Sequence, residues 1–269
     1  MNAAASTPAA TSTSNAPITI ATRLAALRTA MHSKGVDALV IPSADPHLSE
    51  YLPGRWQGRE VFSGFTGSVG TLIVTADFAG LWVDSRYWSQ AEKELAGSGI
   101  QMMKIAAASA TLHIDWLAEH LQAKQIVAID GAVLGLATAR LMQQAFAAKQ
   151  IQLHTTEDLL TDVWADRPSL PTAPIYQHAM PFAVQSRAEK LALVRAQMQA
   201  KGAQWHFIST VDDIAWLFNL RGSDVSYNPV FIAHALLGMT QATLFINIEK
   251  VPTAIRAALE QDGVRVIAY

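Results

Sequence analysis

The sequence predicts an α/β protein built from two similar units, each a mixed sheet flanked by helices. Three observations point there. Amphipathic helical stretches alternate with short apolar strand patterns along the chain. Four prolines crowd residues 166–181 (DRPSLPTAPIYQHAMP), a composition that suits a linker better than an element. A segment near the start then returns after them: RLAALRTAMHSKG at 23–35 and KLALVRAQMQAKG at 190–202. Each copy is followed by an apolar strand pattern, ALVI or HFIS, with Asp45 and Asp212 at matching offsets. Two copies so far apart indicate a duplicated α/β unit and not a solenoid.

The elements follow in order. Leu24, Leu27, Ala30 and Met31 recur at helical spacing, so Arg23–Ser33 is a helix that Gly35 stops. Ala38–Ile41 is a short buried strand ended by Pro42. Thr71–Thr75 and Gly80–Val83 are strands around a turn at 76–78. Ser85–Ala96 reads as helix, Gln125–Ile129 as strand, Ala137–Lys149 as helix and Ile151–Leu153 as a short strand. After the prolines a helix resumes from Ser186. Ile214–Leu220 is helix, Val230–Leu237 and Ala242–Ile246 are strands, and Thr253–Asp262 is helix. VRVIAY (264–269) is a strand pattern with no helix to cover it, so the second unit reads as truncated. The division is a disordered lead-in at 1–17, a first unit at 18–165, a linker at 166–181 and a second unit at 182–269. The lead-in follows from an Ala/Ser/Thr/Pro run that cannot offset its ordering entropy.

Composition narrows the function. Hydrophobic residues make up 51% of the 269 positions and charged residues 16%, against a usual charged share of about 25%. This is a core-rich chain. A net charge of −2 gives no overall field for nucleic acid or an anionic membrane. The absence of cysteine excludes disulfides, thiolate zinc sites, iron–sulfur clusters and a cysteine nucleophile. It is also compatible with a cytoplasmic protein. No apolar run reaches the roughly 18 residues of a spanning helix. The N-terminus has no Lys or Arg before Arg23 and no leucine-rich core, so it does not read as a secretory signal.

Motifs for chemistry are sparse. The eight histidines form neither HExxH nor any i, i+4 pair, and His113 and His120, seven apart, read as surface or boundary residues. Asp212–Asp213 precede IAWLFN and read as helix caps. SGFTGSVG (63–70) has no phosphate-loop ending and no GxSxG elbow, so it reads as a closely packed turn or a contact surface. Arg221 in NLRG complements a helix C-terminus, with Gly222 as the residue just past the helix. Arg86 is the odd cation. It follows the strand GLWV and the candidate cap Asp84, in what reads as a first helical turn, where a cation opposes the dipole. It also lies at the C-terminal end of a strand, where α/β folds place ligands. Either an ion pair with Asp84 or a nearby carboxylate, or a substrate or partner contact, accounts for it. Tyr51–Trp56 and Tyr87–Trp88 place aromatics near Arg55, Arg59 and Arg86.

IPSADPHLSEYL, GREVFSGFTGSVGTLIVT, AGLWVDSRYWSQAE and DDIAWLFNLRGSDVSYNPVF occur in that order. Together they resemble the N-terminal region of Xaa-Pro aminopeptidases (aminopeptidase P) of the long three-domain form, over roughly residues 20–269. The resemblance implies two creatinase-like N-terminal domains, with the C-terminal pita-bread domain absent from this chain. It implies a parent metallopeptidase, a cytoplasmic homodimer with two divalent metal ions, usually manganese. That enzyme releases the first residue of peptides with proline at position 2. No catalytic residue and no metal ligand falls on these 269 residues, so the chain alone is expected to be inactive. Arg86, in DSRY, matches the family's DGRY arginine, which implies a substrate-binding role; Ser85 replaces the family's glycine. A partner-binding relative that has lost catalysis, and a creatinase or prolidase, remain alternatives.

Overall fold

A computed structural model describes residues 19–106 and 111–269, so the lead-in expected at 1–17 lies outside the described residues. The first unit contains α1 (Ile20–Ser33), β1 (Ala38–Pro42), α2 (Gly58–Ser63), β2 (Thr71–Thr75), β3 (Ala79–Asp84) and α3 (Trp88–Glu94). It continues with β4 (Gln101–Ile105), α4 (Leu112–His120), β5 (Ile126–Ala128), α5 (Leu136–Ala147), β6 (Gln152–His154) and α6 (Leu160–Val163). Its six strands run β4-β3-β2-β1-β5-β6. The β1–β2 and β2–β3 pairs are antiparallel, and the other three are parallel.

Alternation along the strands explains why this sheet is covered on both sides. Leu39, Ile41, Leu72, Val74, Leu81 and Val83 pack against α1, α2 and α3 through Leu24, Leu27, Phe62 and Ala91. Ala38, Val40, Ile73 and Trp82 point the other way, onto Ile114 and Leu117 of α4 and Met142 and Phe146 of α5. A period of two with both phases apolar is what a doubly covered sheet requires.

The second unit contains β7 (Tyr176–Gln177), α7 (Arg187–Ala200), β8 (Trp205–Ile208), α8 (Val211–Phe218), β9 (Leu220–Arg221), β10 (His234–Gly238), β11 (Ala242–Phe245), α9 (Thr253–Gln261) and β12 (Val264–Ile267). Its sheet, read as β8-β10-β11-β12, repeats β1-β2-β3-β4 in order and in strand direction. The helix before each sheet corresponds as well, α1 to α7, so the repeat seen in sequence is a repeat of fold. Ala235, Leu237, Ala242 and Leu244 enter one core with helices α7, α8 and α9. Trp205 and Phe207 on the edge strand β8 stay exposed.

Several local expectations change. Residues 166–181 are not wholly a linker, because Tyr176–Gln177 pair with Leu220–Arg221 and Ile175 is buried in the second core. The helix expected to reach Leu220 stops at Phe218, with Asn219 left-handed at φ 51°. Gly222 is therefore not the residue past the helix. It is needed for close approach, since a Cβ there would lie 2.9 Å from the Val230 carbonyl oxygen. Arg221 still donates to a carbonyl of α8, that of Ala215, at 2.8 Å. Asp212 and Asp213 lie inside the first turn of α8 and do not cap it; the capping position is Thr210. Asp45 is a buried loop residue, so its matching offset with Asp212 carries no shared role.

Lys250 and Asp224 form an ion pair with both side chains essentially inaccessible. Asp224 also accepts from the Ile232 backbone N–H at 2.8 Å, which ties the loop after β9 to the start of β10. Removing one member of such a pair leaves a buried uncompensated charge. Lys250→Met is expected to cost about 3–5 kcal/mol in urea unfolding, with part restored by adding Asp224→Asn. Unchanged unfolding would contradict this account of the pair.

Candidate functional site

The chain leaves β1 and β3, and enters β2, at the same edge of the first sheet. Ser43 closes that edge by donating its backbone N–H and its hydroxyl to the Gly70 carbonyl, at 3.1 and 2.9 Å. Arg59, on α2, is buried beneath it. Its Nε donates to Ser43 Oγ at 3.0 Å, Nη2 to the Gly67 carbonyl at 2.5 Å, and Nη1 to the Phe65 carbonyl. The glycine-rich segment is thus wrapped around a guanidinium. Gly64 ends α2 at φ 74°. Thr66 donates its backbone N–H and hydroxyl to Glu94, at 2.9 and 2.7 Å. Ser68 and Tyr87 join their hydroxyls at 2.6 Å.

Arg86 stands at the end of this series, outside a helix. Asp84 Oδ1 accepts the Arg86 backbone N–H at 3.0 Å, and Tyr87 N–H donates to the Asp84 carbonyl, also at 3.0 Å. This turn delays α3 until Trp88, so the argument from an opposing helix dipole does not apply. The Arg86 side chain folds back on the same carboxylate, Nε to Oδ1 at 3.0 Å and Nη2 to Oδ2 at 2.8 Å. Its guanidinium carbon lies 5.3 Å from the centre of the Tyr87 ring. That fork holds the Asp84 carboxyl below its usual range. The ion-pair account of Arg86 is therefore real, but it does not bury the residue: the side chain remains 67% exposed.

Beside this edge lies a cleft of about 380 Å³ with walls from both units. The first unit supplies Glu50, Tyr51, Arg59, Thr66 and Ser68; the second supplies Asp224, Val225, Ser226 and Tyr227. Tyr51 is half exposed, and Tyr227 is fully exposed on a turn at φ 63°. The expected aromatic–arginine cluster divides here. Trp56 is buried with Val133 and Ile232 where the units meet. Arg55 donates to the Pro168 carbonyl while its own carbonyl accepts from Arg167, and Arg59 is internal. Only Arg86 and Tyr51 of that set face solvent to a large extent. Tyr227 carried no signal of its own beyond its place in SDVSYNP. A larger hollow, about 680 Å³, opens at the opposite edge of the sheet beside Phe78, Trp116 and His120. Its rings spend their faces on one another, at 4.5 and 4.2 Å. His113 and His120 do not converge on a ligand there.

Among the described residues no three His, Cys, Asp or Glu side chains group to hold a metal ion. The residues present do not fit a metal centre, and no step is assigned to one on this chain. Among the same residues no helix is long and apolar enough to cross a membrane.

Two family models, both described as creatinase/prolidase N-terminal domain, match residues 23–162 and 166–269. The chain belongs to this family. Its similarity extends to aminopeptidases P. It is 37% identical over 250 residues to aminopeptidase P1 of Lotus japonicus, covering 91% of this chain and 37% of that protein. It is 36% identical over 255 residues to a probable Xaa-Pro aminopeptidase P of Ajellomyces dermatitidis, covering 94% and 41%. The structure superposes on X-prolyl aminopeptidase from Caenorhabditis elegans with a TM-score of 0.88 and 28% identity, over 94% of this chain and 43% of that one. That protein is described as a cytosolic enzyme with a di-nuclear active site. The chain thus spans about two fifths of the length of the relatives it matches.

Gly67 offers a test of the wrapped loop. A Cβ there would sit 2.3 Å from Phe65 Cζ and 2.8 Å from Tyr87 Cδ1. Gly67→Ala is expected to cost about 1–3 kcal/mol through overpacking, read as a lowered melting temperature. Melting at the original temperature would contradict the packing described.

Proposed function

We propose that this chain is the N-terminal, non-catalytic part of a Xaa-Pro aminopeptidase, a metallopeptidase that releases the first residue of peptides with proline at position 2. One observation carries the reading: two tandem domains of one fold superpose on an X-prolyl aminopeptidase over 94% of the chain. The role of the two domains is to shape the substrate entrance and the contacts of a homodimer. The di-nuclear site of the C. elegans enzyme supports two divalent metal ions in the whole protein, and its cytosolic description supports a cytoplasmic location. Manganese and the dimer rest on the family resemblance.

Arg86 is the substrate-binding residue in this reading. Asp84 takes the Nε N–H and one N–H of Nη2, which leaves the second Nη2 N–H and both of Nη1 for a peptide carbonyl or carboxylate. The fork sets the direction of those donors, and the Tyr87 ring supports the guanidinium from one side. Arg86 does no bond chemistry. It orients a peptide while attack occurs on another part of the enzyme.

In the full-length protein, Arg86→Ala is expected to lower kcat/KM for an Xaa-Pro peptide by about 10- to 100-fold, the worth of a charged hydrogen bond. The melting temperature should hold, because the side chain is exposed, and Arg86→Lys should recover part of the loss. Unchanged kinetics would overturn the role. The 269-residue chain supplied with Mn²⁺ is expected to leave the same peptide intact; turnover by it would overturn the non-catalytic assignment.

A further inference from the structure

Two histidines far apart in sequence meet where the units touch. His47 lies on the loop that leaves β1. Asp45, 1% exposed, fixes that loop by accepting the backbone N–H groups of His47 and Ser49 on Oδ1, at 3.0 and 2.9 Å. The His47 ring then reaches the second unit with both nitrogens. Nδ1 is 2.7 Å from the Ser209 carbonyl, and Nε2 is 3.0 Å from the Tyr269 hydroxyl. A carbonyl only accepts, so Nδ1 carries a proton; in the neutral ring Nε2 then accepts from the phenol. His234, on β10, packs 4.4 Å from His47 between ring centres and stacks on Tyr269 at 5.4 Å. Its Nδ1 is buried without a partner.

We infer that the His47–His234 contact is an acid-released latch that sets the width of the cleft between the two units. A second proton on His47 converts Nε2 from acceptor to donor and forces the Tyr269 hydroxyl to turn. A proton on His234 as well sets two cations face to face. The cleft follows, because the loop held by His47 runs directly into Glu50 and Tyr51 on one wall, opposite Asp224 and Tyr227 on the other.

The groups facing the pair have defined effects. Burial lowers the pKa of His47, and it lowers that of His234 to about 4 with help from the neighbouring His47. Asp45 pulls both upward, less strongly than burial pulls down. The Tyr269 phenol, pushed up to about 12, stays neutral. With the closed-state values below the ordinary 6.5, the open state binds more protons between them. Closure is therefore fully favoured above pH 6.5 and is lost as the pH falls from there towards 4.

The latch itself is independent of the peptidase reading; only its consequence for the cleft rests on that reading. Hydrogen exchange of the 269-residue chain, corrected for intrinsic rates, tests it. Between pH 7.5 and 5, protection of segments 43–52 and 232–238 is expected to fall about 30-fold, the 1.5 pH units below 6.5 over which His234 is protonated in the open state alone, while β2 holds. His234→Phe keeps a ring on Tyr269 but cannot titrate, and His234→Tyr serves the same purpose; both should reduce the pH dependence to the part that His47 alone contributes. Wild-type protection that ignores pH, or variants that follow wild type, would overturn the latch. Arg86→Ala should leave this profile unchanged, so failure of the substrate reading is separable from failure of the latch.

Discussion

The buried guanidinium of Arg59 is the constraint on which the candidate site depends. A charge taken out of water costs several kcal/mol unless its donors are satisfied. Arg59 meets that demand with the Ser43 hydroxyl and the carbonyls of Phe65 and Gly67. The glycine-rich segment cannot relax away without stranding the cation. From there the order propagates outward. The fixed loop presents Ser68 to the Tyr87 hydroxyl, and the Tyr87 ring supports Arg86. Arg59 itself faces inward; its work is to make the rim on which Arg86 stands rigid.

The second unit uses the same strand order for a different end. Its sheet is covered on one face, and two cations of α7 close the far ends of the covering helices. Arg187 donates to the Phe218 and Ala258 carbonyls, each at 3.0 Å, and pairs with Asp262 at 2.8 Å. Lys190 donates to the Trp216 carbonyl at 2.9 Å and to the Asn219 side chain at 2.6 Å. Cations at helix C-termini meet orphan carbonyls and the negative end of the dipole. This rigid frame positions the loop from Asp224 to Tyr227 against the first unit. The duplication therefore yields one wall of the cleft from each copy.

Most elements were legible because their signals are local. The two-phase apolar alternation of Ala38–Ile41 and Thr71–Thr75, and the helical spacing of Leu24, Leu27 and Met31, act within a few residues. The structure departs from the local pattern where a side chain redirects the backbone. The Asp84 carboxylate captured the Arg86 N–H and moved the helix start to Trp88. Asn219 took the left-handed position assigned to Gly222, because its amide is held by Lys190 and by the Gln185 carbonyl. Tyr176–Gln177 gained a strand from a partner, β9, that no local pattern could reveal. Arg86 stood out from its place after a strand, and it remains exposed there. Tyr227 and the His47–His234 contact could not be read in advance, since the residues that give them meaning come from the other unit.

The central claim is that the rim carrying Arg86, and the cleft beside it, meet the peptide substrate of a larger peptidase. Photo-crosslinking tests this most directly. A peptide with proline at position 2 and a photoreactive group on its C-terminal side would be irradiated with the full-length protein, and the attachment points mapped. The account predicts attachment within 50–51, 84–88 or 224–227, suppressed by unlabelled peptide. Attachment confined to residues outside this 269-residue chain would contradict it.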